Sequence, residues 1–135
     1  MSATPVDSNA LPDVLTADPV WFDWPAGALS AARRQGHPMI NPVIHAEVSV
    51  GCSSVEMLES VLPREVFLRD PLPWPAAFLA GKAFLPYRRR GGARRSPLPD
   101  FLIGAHAAVA GYRLLTRDAA RYRTCFPKLE LIAPS

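Results

Sequence analysis

At 135 residues the chain suits a single domain spanning 1–135, because domains run to roughly 100–200 residues and two independent cores do not fit. Hydrophobic residues make up 49% and charged residues 20%, ordinary globular proportions that exclude a wholly disordered chain. The net charge is +3, yet Arg88, Arg89, Arg90, Arg94 and Arg95 lie within eight residues, leaving ten basic against twelve acidic groups elsewhere, so one segment makes the protein basic. The least polar stretch, Phe101 to Tyr112, is interrupted by His106 and falls well short of the roughly 18 apolar residues of a membrane span. The first ten residues carry Asp7 and no Lys or Arg, unlike a signal peptide, so the cytoplasm is the expected compartment. Cys52 and Cys125 are too few for a disulfide framework and have no Cys or His at metal-ligand spacing; both read as small buried hydrophobes.

Fifteen prolines punctuate the elements. Val14 to Trp24 and Ala26 to Gln35 read as helical, followed by a short strand at Met39 and Ile40. Pro42 suits the first turn of a helix closed near Gly51, and Ser54 caps a helix running to Leu62. Glu65 to Leu68 reads as a strand. Trp74 to Tyr87 reads as a helix with Phe78, Leu79 and Ala83 facing inward and Pro86 ending it. Beyond the Arg/Gly loop, Asp100 to Ala110 is helical and stopped by Gly111. Tyr112 to Thr116 is a strand, Asp118 opens a short helix, and Leu129 to Ile132 is a last strand. Strands alternating with helices give an α/β fold, a mostly parallel sheet covered on both faces.

In such a sheet, functional groups gather beyond the carboxyl ends of the strands. Asp7 ends the first possible strand, Asp118 follows the Tyr112 strand, Asp100 opens a helix, and Glu47 lies mid-helix among apolar neighbours. No Lys or Arg stands out as a partner for Glu47 or Asp100. Converging carboxylates repel by a few kcal/mol per close pair at an effective dielectric of about 20, a penalty that a divalent cation removes. Oxygen-only ligands select Mg²⁺ or Mn²⁺ rather than zinc, and such an ion serves hydrolysis of a phosphodiester. Spacing alone also allows, and favours, a plainer reading in which Asp7 and Asp118 cap turns, Asp100 suits a helix N-terminus, and Glu47 reaches solvent. The arginine run, made flexible by Gly91 and Gly92, suits phosphates but also fits a solvated loop.

The local wording narrows this. Leu98-Pro99-Asp100-Phe101-Leu102-Ile103-Gly104-Ala105-His106-Ala107, with Leu114-Leu115-Thr116-Arg117-Asp118 and Arg121-Tyr122-Arg123-Thr124-Cys125-Phe126-Pro127, resembles the third and fourth acidic motifs of the PIN-domain family. The resemblance is to the VapC toxins of VapBC toxin-antitoxin pairs in particular. Asn41-Pro42-Val43-Ile44-His45-Ala46-Glu47 is similar to the second motif and Val6-Asp7-Ser8-Asn9 to the first. The resemblance implies a PIN-like three-layer α/β/α sandwich and a Mg²⁺-dependent endoribonuclease that halts translation. It assigns Asp7, Glu47, Asp100 and Asp118 as the metal-binding and catalytic acids, supported by Asn9 and Thr116. It also implies a cognate VapB-type antitoxin as partner, and with the Trp21 to Trp24 cluster it implies a homodimer. Arg88, Arg89, Arg90, Arg94 and Arg95 would hold the RNA.

The beginning departs from the family pattern: Pro5 withholds a donor from what should be a central strand, and Pro12 falls where the first helix should run. A second expectation is therefore a catalytically silent PIN-like module that binds RNA or an antitoxin without cutting. A flap-cutting DNA nuclease is disfavoured, because the chain lacks room for added substrate-handling elements. His37, His45 and His106 read as satisfied or exposed rather than catalytic, and Ser8 as a turn hydroxyl.

Overall fold

The computed structural model describes residues 2–11, 36–89 and 98–133. The expected helices at 14–24 and 26–35, Pro12, the Trp21 to Trp24 cluster, and Arg90, Arg94 and Arg95 lie outside them. Strand β1 (Ser2–Pro5) leads into a 3-10 turn (Ser8–Ala10); β2 (Gly36–Ile40) precedes α1 (Pro42–Ser49) and α2 (Val55–Val61). Then come β3 (Leu68–Arg69), α3 (Trp74–Arg89), α4 (Leu98–Ala110), β4 (Leu114–Leu115), α5 (Ala119–Cys125) and β5 (Leu131–Ile132).

Among the described residues the strand pairings are parallel: β1 with β2, β2 with β3, and β4 with β5. A parallel bridge between Val6 and Leu115, with the Asp7 N–H donating to the Leu115 carbonyl at 2.8 Å, joins the two ladders. The order is therefore β5-β4-β1-β2-β3. The chain works outward from β1 to β3 and then returns to lay β4 on the other side of β1. With this order, the right-handed rule for parallel crossovers assigns the helices between β2 and β3 to one face and α5 to the other. This is the PIN-like α/β/α sandwich that the sequence led us to expect, and the reversal falls between β1 and β4, where such sheets open a crevice.

Pro5 does not break β1. Backbone N–H groups of successive strand residues point to opposite neighbours: Val6 donates to the Met39 carbonyl at 3.0 Å, on the β2 side, and Asp7 donates to β4. The missing Pro5 donor would point toward β4, whose two residues begin to pair only at Val6. The loss is thus taken where no partner strand is waiting.

Three local expectations are corrected. The expected strand from Glu65 begins only at Leu68, because the Val66 and Phe67 N–H groups both turn back to the Pro63 carbonyl at 3.0 and 2.9 Å. Pro86 lies inside α3 and does not end it; a proline forfeits its own N–H bond, but the residues after it keep theirs for one more turn. Phe78 is 68% exposed, while Ala76, Ala80 and, partly, Leu79, Ala83 and Phe84 carry the inward face of α3. That helix is apolar nearly all round, so composition did not single out its buried stripe.

The core joins Val6, Leu11, Ile40, Ile44, Phe101, Ile103, Leu114, Leu115 and Tyr122, all nearly inaccessible. Phe101 packs edge-on to Phe84 at 5.3 Å between ring centroids. Gly104 permits the close approach of α5 to α4: a Cβ there would come within 2.7 Å of the Phe126 ring and 3.0 Å of the Tyr122 ring. Cys52 and Cys125, neither of them in a disulfide, are half-buried against this core.

Candidate metal centre

Four segments meet at the crevice beside the carboxyl ends of β1 and β4. Asp7 directly follows β1 and Val6; it is 1% exposed. Glu47 rides on α1, which begins because Asn41 caps it, accepting the Ile44 N–H at 2.9 Å, with Pro42 supplying the fixed φ of the first turn. Asp100 sits in the first turn of α4, where the helix dipole favours an anion. One ligand oxygen from each of Asp7, Glu47 and Asp100 lies within 4.8 Å of the other two.

Asp118 stands apart from this group. It caps α5, its Oδ1 accepting the Arg121 N–H at 3.3 Å, and its Oδ2 lies 3.3 Å from Arg121 Nε. The same guanidinium donates through Nη1 to Asp100 Oδ2. The absence of a cation beside Asp100, expected from sequence, is therefore corrected: Arg121 is that cation. Its signal was its place three residues after Asp118 at a helix start, which turns the guanidinium back over the acid.

Hydroxyls set the orientation of the acids. Asp7 Oδ2 accepts from Thr116 Oγ1 and from the Tyr122 hydroxyl, each at 2.8 Å. Thr116 Oγ1 in turn accepts from Asn9 Nδ2 at 3.2 Å and the Asp118 N–H at 3.0 Å, and Asn9 Oδ1 accepts the Arg117 N–H at 3.1 Å. Ser8, read from sequence as a turn hydroxyl, donates to Glu47 Oε1 at 2.6 Å. Tyr122 was missed as a site residue because its contact needs α5 to fold back across β1, over a separation of 115 residues. The arginine run contributes Arg88 and Arg89 to the last turn of α3; Arg90, Arg94 and Arg95 lie outside the described residues.

The electrostatics are unfavourable without a cation. Burial pushes the Asp7 carboxyl up to about 6, against its two hydroxyl donors, with the charges of Asp100 and Glu47 adding to the rise. Glu47 and Asp100 are also raised, first by burial; at Asp100 burial outweighs even Arg121. Tyr122 is pushed far up by burial and the neighbouring Asp7, so it remains a proton donor. Asp7 Oδ1 is buried and has no hydrogen-bond partner among the described residues. A buried carboxylate oxygen without a donor is expensive, and a hard cation supplies what it lacks. The oxygen-only set of Asp7, Glu47 and Asp100 fits such an ion, so the cluster can hold a metal.

No protein family matches this sequence, and no curated protein matches it. Solved structures do. VapBC2 from Rickettsia felis, bound to a DNA fragment from its promoter, aligns with a TM-score of 0.73 and 18% identity over 98% of both chains. FitAcB from Neisseria gonorrhoeae gives 0.69 and 15% over 96% of both chains. A toxin-antitoxin complex from Klebsiella pneumoniae gives 0.66 and 20% over 99% of this chain and 98% of that one. Identities this low establish likeness of fold. Membership in the PIN-domain family as a VapC-type toxin, implied by the short motifs, is corrected accordingly: with no family match, the likeness is one of fold, to chains of VapBC and FitAB complexes.

Proposed function

We propose that the chain is a divalent-metal-dependent endoribonuclease and the toxin component of a toxin-antitoxin pair. The observation that carries the reading is the meeting of three carboxylates from β1, α1 and α4 around a buried Asp7 whose Oδ1 has no partner among the described residues. The full-length likeness in fold to toxin-antitoxin complexes supports the cellular setting.

In this reading Asp7, Glu47 and Asp100 hold Mg²⁺ or Mn²⁺, with Asp118 as a fourth acid beside them. The bound ion supplies a water of lowered pKa and positive charge next to the scissile phosphate. Thr116 and Tyr122 fix Asp7 by binding Oδ2, leaving Oδ1 for the cation. Asn9 holds Thr116, and Ser8 holds Glu47 against its neighbours. Arg88, Arg89, Arg90, Arg94 and Arg95 grip the RNA backbone, so replacing two of them lowers the salt dependence of RNA affinity without moving the cleavage position. The apolar side chains exposed on α3, Trp74, Phe78 and Leu85, offer a face to an antitoxin or a second copy of the chain.

The test incubates purified protein with structured RNAs in Mg²⁺ or in chelator, beside Asp100→Asn. Cleavage is expected only for the unaltered protein with metal; cleavage that survives both chelator and substitution overturns the mechanism. A second reading, binding of RNA or antitoxin without cutting, draws on Arg121, which already engages Asp100 and Asp118. RNA bound but uncut at saturating Mg²⁺ and Mn²⁺ would favour it.

A further inference from the structure

We infer that Arg121 is an internal counter-ion that competes with the divalent cation for Asp100, so that this one side chain limits how tightly the three-acid group takes a metal. The inference rests on the metal-binding reading of the site.

Arg121 touches the group and the acid beside it at once: Nη1 donates to Asp100 Oδ2, and Nε lies 3.3 Å from Asp118 Oδ2. Asp100 belongs to the three-acid group and Asp118 does not. A cation approaching that group therefore meets one carboxylate already committed and a positive charge at its edge. The field of Arg121 also reaches Glu47, where it opposes the rise caused by burial. Two of the three ligand acids thus feel the guanidinium.

The contact is not needed to hold α5 together. The helix is capped by Asp118 Oδ1 accepting the Arg121 backbone N–H, a bond that survives any change of the side chain. The Arg121 side chain is 38% exposed, so the guanidinium has a route into water when a metal takes its place. Asp7, by contrast, is buried and fixed by two hydroxyls. The site thus pairs an immobile ligand with a displaceable counter-ion.

The test is Mn²⁺ binding measured calorimetrically without RNA, on the full chain and on Arg121→Gln, Arg121→Lys, Arg121→Met and Asp7→Asn. Arg121→Gln is expected to bind Mn²⁺ about tenfold more tightly than the unaltered protein, as loss of a charge a few ångströms away implies. Arg121→Met keeps the methylene stem and carries the same expectation should Gln disturb folding. Arg121→Lys keeps the charge and is expected to stay within about threefold of the original affinity. Unchanged or weaker binding in both neutral variants overturns the inference. If Asp7→Asn still abolishes binding in that case, the metal site itself stands. Tightening by Lys equal to that by Gln also overturns it, because charge would not be the cause. Failure of the unaltered protein and of the neutral variants alike to bind Mn²⁺ removes the metal reading and the inference with it.

Discussion

Two polar clusters, each with a buried centre, lie at the carboxyl ends of neighbouring strands, and α4 serves both. One is the acidic crevice after β1 and β4, to which α4 lends Asp100. The other follows β2 and β3, where α4 lends His106, 1% exposed. There Asn41 Oδ1 is committed to the Ile44 N–H, so Asn41 Nδ2 donates to His106 Nδ1 at 3.0 Å. His106 must then carry its hydrogen on Nε2, which donates to Asp70 Oδ2 at 3.2 Å; the Tyr112 hydroxyl donates to the same oxygen at 3.2 Å. Both ring nitrogens of the buried imidazole are matched, in a geometry with no vacant valence. The acidic crevice is equally buried at its centre but leaves Asp7 Oδ1 unmatched and sets three acids together. Burial of polar groups does not mark a site; the unfilled valence does.

The contrast can be broken or sharpened by experiment. The largest effect is expected from Asp7→Asn, which removes the buried ligand charge: RNA cleavage falls by about a thousandfold or more, a loss of about 4 kcal/mol in transition-state stabilisation, while the melting temperature holds or rises. A melt that collapses together with activity would instead make Asp7 a structural acid.

Next is the pH dependence of the metal-free protein. The unfolded Asp7 carboxyl releases its proton near 3.8 and the folded one near 6, so between those values the folded state holds the extra proton. Stability therefore falls as pH rises from about 4 to 6, by about 3 kcal/mol, and levels off above. Urea unfolding in chelator across this range should show that decline in the unaltered protein and a flatter curve in Asp7→Asn. Saturating Mn²⁺ should restore about 2.7 kcal/mol at neutral pH when present at a hundred times its dissociation constant.

His106→Ala opens the other cluster. It strands the Asn41 amide and leaves a cavity, which costs about 2–4 kcal/mol by denaturant unfolding, with Mn²⁺ affinity unchanged. A change in metal affinity as large as that of a site variant would erase the distinction between the clusters. The smallest effect belongs to Tyr122→Phe: losing one donor to Asp7 costs about 1 kcal/mol of stability and lowers cleavage severalfold, read from single-turnover rates.

The sequence was most legible where local chemistry decides. Ser54, Pro42 and Asp118 were recognisable as helix starts; Ser54 and Asp118 cap their helices through the side chain, and the cap of the Pro42 helix is the preceding Asn41. The parallel α/β arrangement followed from the alternation of elements. What escaped were facts set by distant packing. Phe78 points outward because α3, apolar nearly all round, buries the Ala76–Ala80 side instead. Tyr122 and Arg121 reach the acids because Gly104 lets α5 close on α4. The four acids could be ordered along the chain, but not that Asp118 would turn to Arg121 while the other three converge. Motif wording around those acids was specific enough to foresee the fold and not enough to establish a family.

The most direct test of a metal-holding crevice is anomalous diffraction from crystals grown or soaked with Mn²⁺. A peak bounded by oxygens of Asp7, Glu47 and Asp100, with Asp7 Oδ1 among its ligands and Arg121 moved off Asp100, is the predicted result. Well-diffracting crystals with Mn²⁺ bound elsewhere, or with that crevice empty and Arg121 still seated on Asp100, would contradict it.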